Sequence, residues 1–134
     1  MRVLLVEDSE YLGELLHDIL QDAGVSVVGP ARTAAEALDL LHESIDVACL
    51  DIQLGLETSF DVADRLEASG IPFLFVTVCN RTILPHRHRH QHLLDKMDLP
   101  EGLVPACLAV HAGMPLPVAV EPAPQRSPGR RELW

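Results

Sequence analysis

The stretch VLLVED at residues 3–8 decides the fold class, because a short apolar run ends there directly on two carboxylates. Similar apolar runs follow at residues 25–28, 47–50 and 73–76, and residues 92–96, with two leucines, are a candidate fifth, short strand. Runs without polar alternation are typical of strands whose two faces are both buried, as in a parallel sheet. The sequence therefore predicts five strands at these positions.

Helical patterns fill the intervals between the first four strands. In the first interval, apolar residues form one helical stripe, and Ser9 and Gly24 stand where an N-cap and a C-terminal stop are expected. The turn signal Gly-Pro at residues 29–30 precedes a second helix capped by Thr33, and a third helix is predicted over residues 59–69. This alternation predicts an α/β fold with a doubly wound, five-stranded parallel sheet of flavodoxin-like order 2-1-3-4-5.

The part of the chain after residue 80 follows this pattern less regularly. Asp98 and Glu101 have the spacing of a capping box, which predicts a last helix, and Pro105 is expected to kink or shorten it. The packed face of this helix is predicted to consist of Leu103, Val104, Cys107, Leu108 and His111. Five of the ten prolines lie within residues 113–134. We therefore expect one ordered domain over residues 1–112 and a disordered, Pro-rich tail over residues 113–134.

The composition excludes several classes of function. The 134 residues suit one domain, and an apolar content of 48% suffices for a packed core. Twenty acidic and ten basic side chains give a net charge of −10, which argues against binding to nucleic acid or to an anionic membrane surface. The three cysteines lack metal-ligand spacing, fit free thiols in a reducing compartment, and include Cys49 in a predicted core strand. Without a signal peptide or a membrane-spanning run, we expect a cytoplasmic protein.

Chemically active side chains follow the predicted strands at the points where the strands end. Glu7 and Asp8 come directly after the first strand, and Asp51 follows the third. Ligands of such sheets bind beyond the carboxyl ends of the strands, between strands 1 and 3, so these carboxylates are expected to meet. Clustered carboxylates favour a hard divalent cation, Mg²⁺ or Mn²⁺. Thr77 and Lys96, at the ends of the fourth and fifth strands, supply a hydroxyl and an ammonium group for a phosphoryl oxygen.

Each of these residues also has a plainer interpretation when it is taken singly. The three acidic residues suit helix caps or solvated charges, Thr77 suits a turn, and Lys96 suits a charged surface. The joint pattern at four strand ends favours a functional site.

The segments VLLVEDS at residues 3–9 and CLD at residues 49–51 resemble the receiver domain of two-component response regulators, the CheY-like family. The segments LDIQLG at residues 50–55 and GIPFLFVT at residues 70–77 are similar to one subgroup, the "FAT GUY" single-domain receivers of alphaproteobacteria. Together the resemblance covers about residues 2–112.

This resemblance implies a role for each residue of the predicted site. Asp51 would be the phosphoacceptor, Thr77 would hydrogen-bond the bound phosphoryl group, and Lys96 would pair with it. The ligands of Mg²⁺ would be Glu7, Asp8, Asp51 and the backbone carbonyl of Gln53.

The resemblance also implies the partners. The phosphoryl donor would be a sensor histidine kinase or a phosphotransfer protein. With no room for a DNA-binding output module in 134 residues, the signal would pass by contact with a downstream protein, and a homodimer stays open. The domain would catalyse only its own phosphorylation and dephosphorylation and is not expected to be an enzyme otherwise.

Three positions depart from the pattern of the resembling receivers. Val78 and Cys79 stand where the subgroup has Gly and Tyr, and Met97 stands where receivers have Pro. These departures favour, as an alternative, a pseudo-receiver, which is a binding module that keeps the fold without the phosphorylation-dependent switch. A second alternative, a phosphatase on the same fold, needs an acid two residues after Asp51, and Gln53 is not an acid.

Four histidines alternate with other residues over the segment that leads into the fifth strand and includes its first residue, namely His86, His88, His90 and His92. On a strand they would share one face and offer a transition-metal site. The alternative is a solvated basic loop, which the neighbouring arginines favour.

Overall fold

The sheet strands lie where the apolar runs predict them. They are β1 Arg2–Val6, β2 Ser26–Ala31, β3 Val47–Asp51, β6 Phe73–Thr77 and β7 His92–Asp95. This computed structural model describes residues 1–78 and 83–116. All pairings within this five-stranded sheet are parallel, and its order is β2-β1-β3-β6-β7. Counted over these five strands alone, this is the predicted order 2-1-3-4-5, so the predicted fold class is confirmed.

Within residues 1–78 and 83–116, four α-helices connect or follow the strands. They are α1 Glu10–Asp22, α2 Ala34–Asp39, α3 Phe60–Ala68 and α4 Leu103–His111. Both predicted N-caps are present, because Ser9 Oγ accepts from the Leu12 N–H at 3.2 Å and Thr33 Oγ1 accepts from the Glu36 N–H at 3.1 Å. These caps fix where α1 and α2 begin after their strands.

Two apolar layers cover the two faces of the sheet. Along β1, Val3 and Leu5 pack into the layer with α1 and α4, whereas Leu4 and Val6 pack into the layer with α2 and α3. Because successive side chains of β1 enter one or the other of two buried layers, residues 3–6 are all apolar. It leaves the carboxyl ends of the strands, rather than a face of the sheet, to present polar groups.

The chain also forms an antiparallel hairpin of two short strands, β4 Gln53–Leu54 and β5 Glu57–Thr58. It follows β3 directly and was not predicted, because two-residue strands are too short to show an alternating pattern. The hairpin places the backbone of Gly55 beside the ends of the sheet strands.

The turn predicted at Gly29-Pro30 is wrong, since both residues lie inside β2. β2 is an edge strand that pairs only with β1, so a residue without an N–H fits there without breaking a ladder on its other side. Gly29 has φ +102°, and a Cβ at this position would lie 2.8 Å from the Leu5 carbonyl oxygen. The Gly-Pro pair therefore shapes the strand, whose pairing register shifts between Leu4 and Val6.

The last helix differs from its prediction in start and in face. Residues 96–98 form a 3₁₀ helix, and α4 begins only after Gly102 without a side-chain cap, so the predicted capping box is wrong. Pro105 falls in the first turn, where a backbone N–H has no intrahelical partner, and α4 continues to His111.

The buried face of α4 consists of Leu103, Ala106, Cys107 and Val110. Leu108, which was predicted to be packed, is 53% exposed, and His111 is exposed. α4 is apolar nearly all round, so its sequence does not define which side faces the core. Residues 117–134 of the predicted tail lie outside the described residues. Within the described ranges, no helix is long and apolar enough to cross a membrane.

Candidate functional site

The structure brings together the three carboxylates that follow β1 and end β3. One ligand atom each from Glu7, Asp8 and Asp51 can be chosen so that all lie within 4.8 Å of one another. Glu7 is 2% exposed and Asp51 is 7% exposed, while Asp8 is half-buried. The parallel register of β1 and β3, with Val6 opposite Leu50, is what sets the two strand ends side by side.

Burial and mutual repulsion disfavour the charged forms of these carboxylates. Burial, followed by the charge of Asp51, raises the pKa of Glu7 from 4.5 to about 7. Burial also raises the pKa of Asp51, against the opposing effect of Lys96. In the absence of a cation, the protonated form of Glu7 is therefore favoured beside Asp51.

Lys96 supplies the positive charge of the site. Its Nζ lies 3.3 Å from Asp51 Oδ2 and 3.5 Å from Glu7 Oε1. It directly follows β7, and the side chain of Asp95 accepts a hydrogen bond from the Met97 N–H at 2.9 Å, which fixes the turn that holds Lys96. The predicted lysine is thus in direct contact with the central carboxylate.

The hairpin orients Asp8. The Gly55 N–H donates to Asp8 Oδ2 at 2.9 Å, and Gly55 adopts φ +66°, a left-handed conformation that favours glycine. The Gln53 side chain donates to the Gly55 carbonyl at 2.8 Å, and Glu57 Oε2 accepts from the Ala34 N–H at 3.0 Å. Sequence reasoning missed Gly55 and Glu57, although a glycine four residues after Asp51 is a turn signal.

Thr77 ends β6 and is 4% exposed. Its neighbour Val76 lies opposite Asp51 in the register of β3 and β6, and Thr77 lies opposite Asp95 in the register of β6 and β7. Thr77 therefore sits one residue beyond the level of Asp51 at the same edge of the sheet. Val78, which follows it, is 73% exposed. Cys79 lies outside the described residues.

His88 fits neither interpretation of the alternating histidines. Residues 86–88 form a 3₁₀ helix rather than a strand, and the His88 ring is fully buried. His88 Nε2 lies 2.8 Å from Asp64 Oδ1. The ring also contacts three phenylalanines at centroid distances of 5.9–6.3 Å, namely Phe60, Phe73 and Phe75. Among residues 1–78 and 83–116, the candidate metal group contains no histidine.

A family model described as the response regulator receiver domain matches residues 3–90, about two thirds of the chain. The chain belongs to the response regulator receiver family. This receiver is 36% identical over 86 residues to YrkP of Bacillus subtilis, an uncharacterized transcriptional regulatory protein, across 61% of the chain and 36% of YrkP. It is 35% identical over 77 residues to the transcriptional regulatory protein CpxR of Escherichia coli K12, across 57% of the chain and 33% of CpxR. The chain spans about a third of the length of these relatives.

Solved structures agree with this assignment. SdrG from Sphingomonas melonis Fr1 is 33% identical with a TM-score of 0.70, over 84% of this receiver and 96% of that chain. The non-phosphorylated HemR receiver domain from Leptospira biflexa is 32% identical with a TM-score of 0.65, over 77% and 88% of the two chains. The similarity to SdrG extends over nearly the whole of that chain.

Proposed function

We propose that this receiver accepts a phosphoryl group on Asp51 and signals through contact with another protein. The observation that carries the proposal is the contact of Lys96 Nζ with Asp51 Oδ2 at 3.3 Å inside the three-carboxylate group. An ammonium group that touches a buried carboxylate favours the ionised form, which is the nucleophilic form. The same ammonium group would pair with a phosphoryl group once it is attached.

The donor set of the site fits Mg²⁺ or Mn²⁺. Carboxylate oxygens are ligands that hard divalent cations prefer, and three of them lie within 4.8 Å with mutual repulsion to relieve. Glu7, Asp8 and Asp51 would hold the cation together with the backbone carbonyl of Gln53. When bound, the cation would neutralise charge and position the phosphate oxygens.

The residues of this chain then have defined roles in the transfer. An ionised oxygen of Asp51 attacks the phosphorus of a phosphohistidine, the P–N bond breaks, and the imidazole leaves with its electron pair. Lys96 holds the charge of the phosphoryl group, and the Thr77 hydroxyl hydrogen-bonds one of its oxygens. Water later breaks the new P–O bond, so the receiver catalyses only its own phosphorylation and dephosphorylation.

The phosphoryl donor in this proposal is a sensor histidine kinase or a phosphotransfer protein. Membership of the "FAT GUY" subgroup is part of the proposal, and the SdrG likeness over 96% of that chain is compatible with it. The division into a receiver domain over residues 1–112 and a tail over residues 113–134 stays a prediction, as do a cytoplasmic location and a homodimer.

A second candidate is the pseudo-receiver. Val78 and Met97, two of the departures from the family pattern, favour this candidate. Their apolar side chains follow Thr77 and Lys96 directly and are 73% and 85% exposed. Such a protein would bind its partner equally well with and without a phosphoryl group on Asp51.

The test is the intact mass of the protein after incubation with acetyl phosphate, with and without Mg²⁺. We expect one phosphoryl group on the parent in the presence of Mg²⁺ and none on Asp51→Asn. The matched control Asp39→Asn removes an exposed carboxylate on α2 and should be phosphorylated like the parent. Equal uptake by Asp51→Asn would contradict the proposal, and no uptake by the parent would favour the pseudo-receiver.

A further inference from the structure

Two thiols meet in the apolar layer between the sheet and α4. The Sγ atoms of Cys49 and Cys107 are 3.2 Å apart, although the two residues are separated by 58 positions in the sequence. Cys49 lies in β3, two residues before Asp51, and Cys107 lies on the buried face of α4. Both are free thiols, with exposures of 1% and 0%.

We propose that Cys49 and Cys107 form an oxidisable pair whose disulfide ties α4 to β3. A disulfide has an S–S length of about 2.0 Å, so the sulfurs need to approach by about 1.2 Å. A rotation of the two side chains toward each other is a small change for groups already in contact. Free cysteines placed in a core only for packing have no need to face each other, and this pair does so from two separate elements.

The oxidant in this proposal is a small disulfide such as oxidised glutathione. One protein thiolate attacks a sulfur of the oxidant, which forms a mixed disulfide and releases one small thiol. The second protein thiolate then attacks the mixed disulfide and releases the other small thiol. The two protein thiols lose two protons and two electrons, and the oxidant becomes two thiols.

Access to the pair requires local opening of α4. Both sulfurs are buried, with Cys49 at 1% and Cys107 at 0% exposure, so an oxidant does not reach the closed pair. α4 has nine residues and no side-chain N-cap, and these features favour its separation from the sheet before the rest of the core opens. Oxidation is therefore slow in the closed state and proceeds through the open state of α4.

The disulfide would close a long loop and hold α4 against the strand that carries Asp51. Loops of this length give a large reduction in the entropy of the unfolded chain, so we expect the midpoint of thermal unfolding to rise by about 5–15 °C. This inference does not depend on phosphorylation, because the pair is described by its own contacts.

The test is thiol counting on the full chain in a Cys79→Ser background, which removes the third thiol. The folded protein is incubated with oxidised glutathione, and the exchange is quenched with acid. The protein is then denatured and alkylated with N-ethylmaleimide, and its intact mass is measured. We expect the reduced protein to take up two alkyl groups, and the oxidised protein to take up none and to carry no glutathione. Peptide mapping should then join the peptides that contain Cys49 and Cys107.

The matched control is Cys107→Ala in the same background, which leaves Cys49 without a partner. In this variant, Cys49 should either remain a free thiol or carry one glutathione. A parent protein that keeps both thiols, or that retains glutathione on either residue, would overturn the proposal. On the original chain, Cys79 should carry the one remaining alkyl group or the one glutathione after oxidation, and peptide mapping that assigns it to Cys79 keeps the test decisive if Cys79→Ser fails to fold.

Discussion

Lys96 Nζ lies 3.3 Å from Asp51 Oδ2, which joins the end of one outer strand of the sheet to the end of its central strand. The lysine is 21% exposed at its side chain, whereas the carboxylate is 8% exposed, so the contact takes place at the rim of a buried site. A contact of this kind contributes to the stability of the folded protein mainly by compensating a charge that burial would otherwise disfavour.

Replacement of Lys96 by Met is expected to destabilise the metal-free protein by roughly 1–3 kcal/mol, because Asp51 loses its compensating charge while the apolar stem is retained. Urea unfolding in the presence of a chelator at pH 8 measures this loss. Arg65→Met, on α3, removes a cation elsewhere and should leave stability nearly unchanged. An equal loss in both variants would show that the site contact does not compensate Asp51.

The stability of the metal-free protein should fall as the pH rises. The folded protein raises the pKa of Glu7 from 4.5 to about 7, so protonated Glu7 is favoured by folding. This contribution is fully present below pH 4.5 and is lost as the pH rises to about 7. The measurement is the free energy of unfolding between pH 4 and 8 for the parent and for Glu7→Gln.

The difference between these two proteins isolates Glu7 from the other titrating groups. This difference in the free energy of unfolding should decline as the pH rises from 4.5 to about 7 and level off at higher pH. In the Asp51→Asn background, the pKa of Glu7 should lie lower, because the neighbouring charge that raises it is gone. A flat difference across the window would contradict the raised pKa.

The hairpin should control the affinity for Mg²⁺. Gly55→Ala places an L side chain at φ +66°, which costs about 1 kcal/mol, and relief of this strain moves the N–H that holds Asp8. We expect binding of Mg²⁺, measured by calorimetry, to weaken about fivefold. Gly70→Ala is the matched control, because Gly70 has φ +72° and an added Cβ would meet nothing within 4 Å. Gly70 follows α3 and is not part of the hairpin. The control variant should lose similar stability and bind Mg²⁺ normally.

The buried ring of His88 should matter for stability more than its neighbours do. His88→Ala leaves a cavity among three phenylalanines and should destabilise the protein by about 2–4 kcal/mol in thermal or urea unfolding. His88→Phe keeps the ring and should cost less than about 1.5 kcal/mol, because Asp64 retains its pair of hydrogen bonds from Arg87. His86→Ala removes an exposed ring and should change stability by less than about 0.5 kcal/mol.

The sequence predicts the sheet and the placement of the site because both depend on local patterns. An apolar run that ends on Glu7 or Asp51 shows strand and site together, and side-chain caps such as Ser9 and Thr33 mark where helices begin. Parallel pairing then brings strand ends to one edge without further information.

Features set by contacts between distant segments could not be predicted in this way. The burial of His88 depends on aromatic rings from α3 and β6, which no spacing near residue 88 indicates. The sequence of α4 is apolar nearly all round, so it does not define which face is buried. That face depends on the position of α4 after the 3₁₀ helix at residues 96–98. The contact of Cys49 with Cys107 likewise appears only when β3 and α4 are packed.

The Gly29-Pro30 pair inside β2 has a consequence for self-association. β2 forms one border of the sheet, where an exposed row of backbone groups would invite an incoming strand from another molecule. Pro30 offers no N–H to such a strand and interrupts the row one residue before the end of a six-residue segment. This border is therefore protected against strand addition, so fibre-like stacking of receivers through β2 is disfavoured even at high protein concentration.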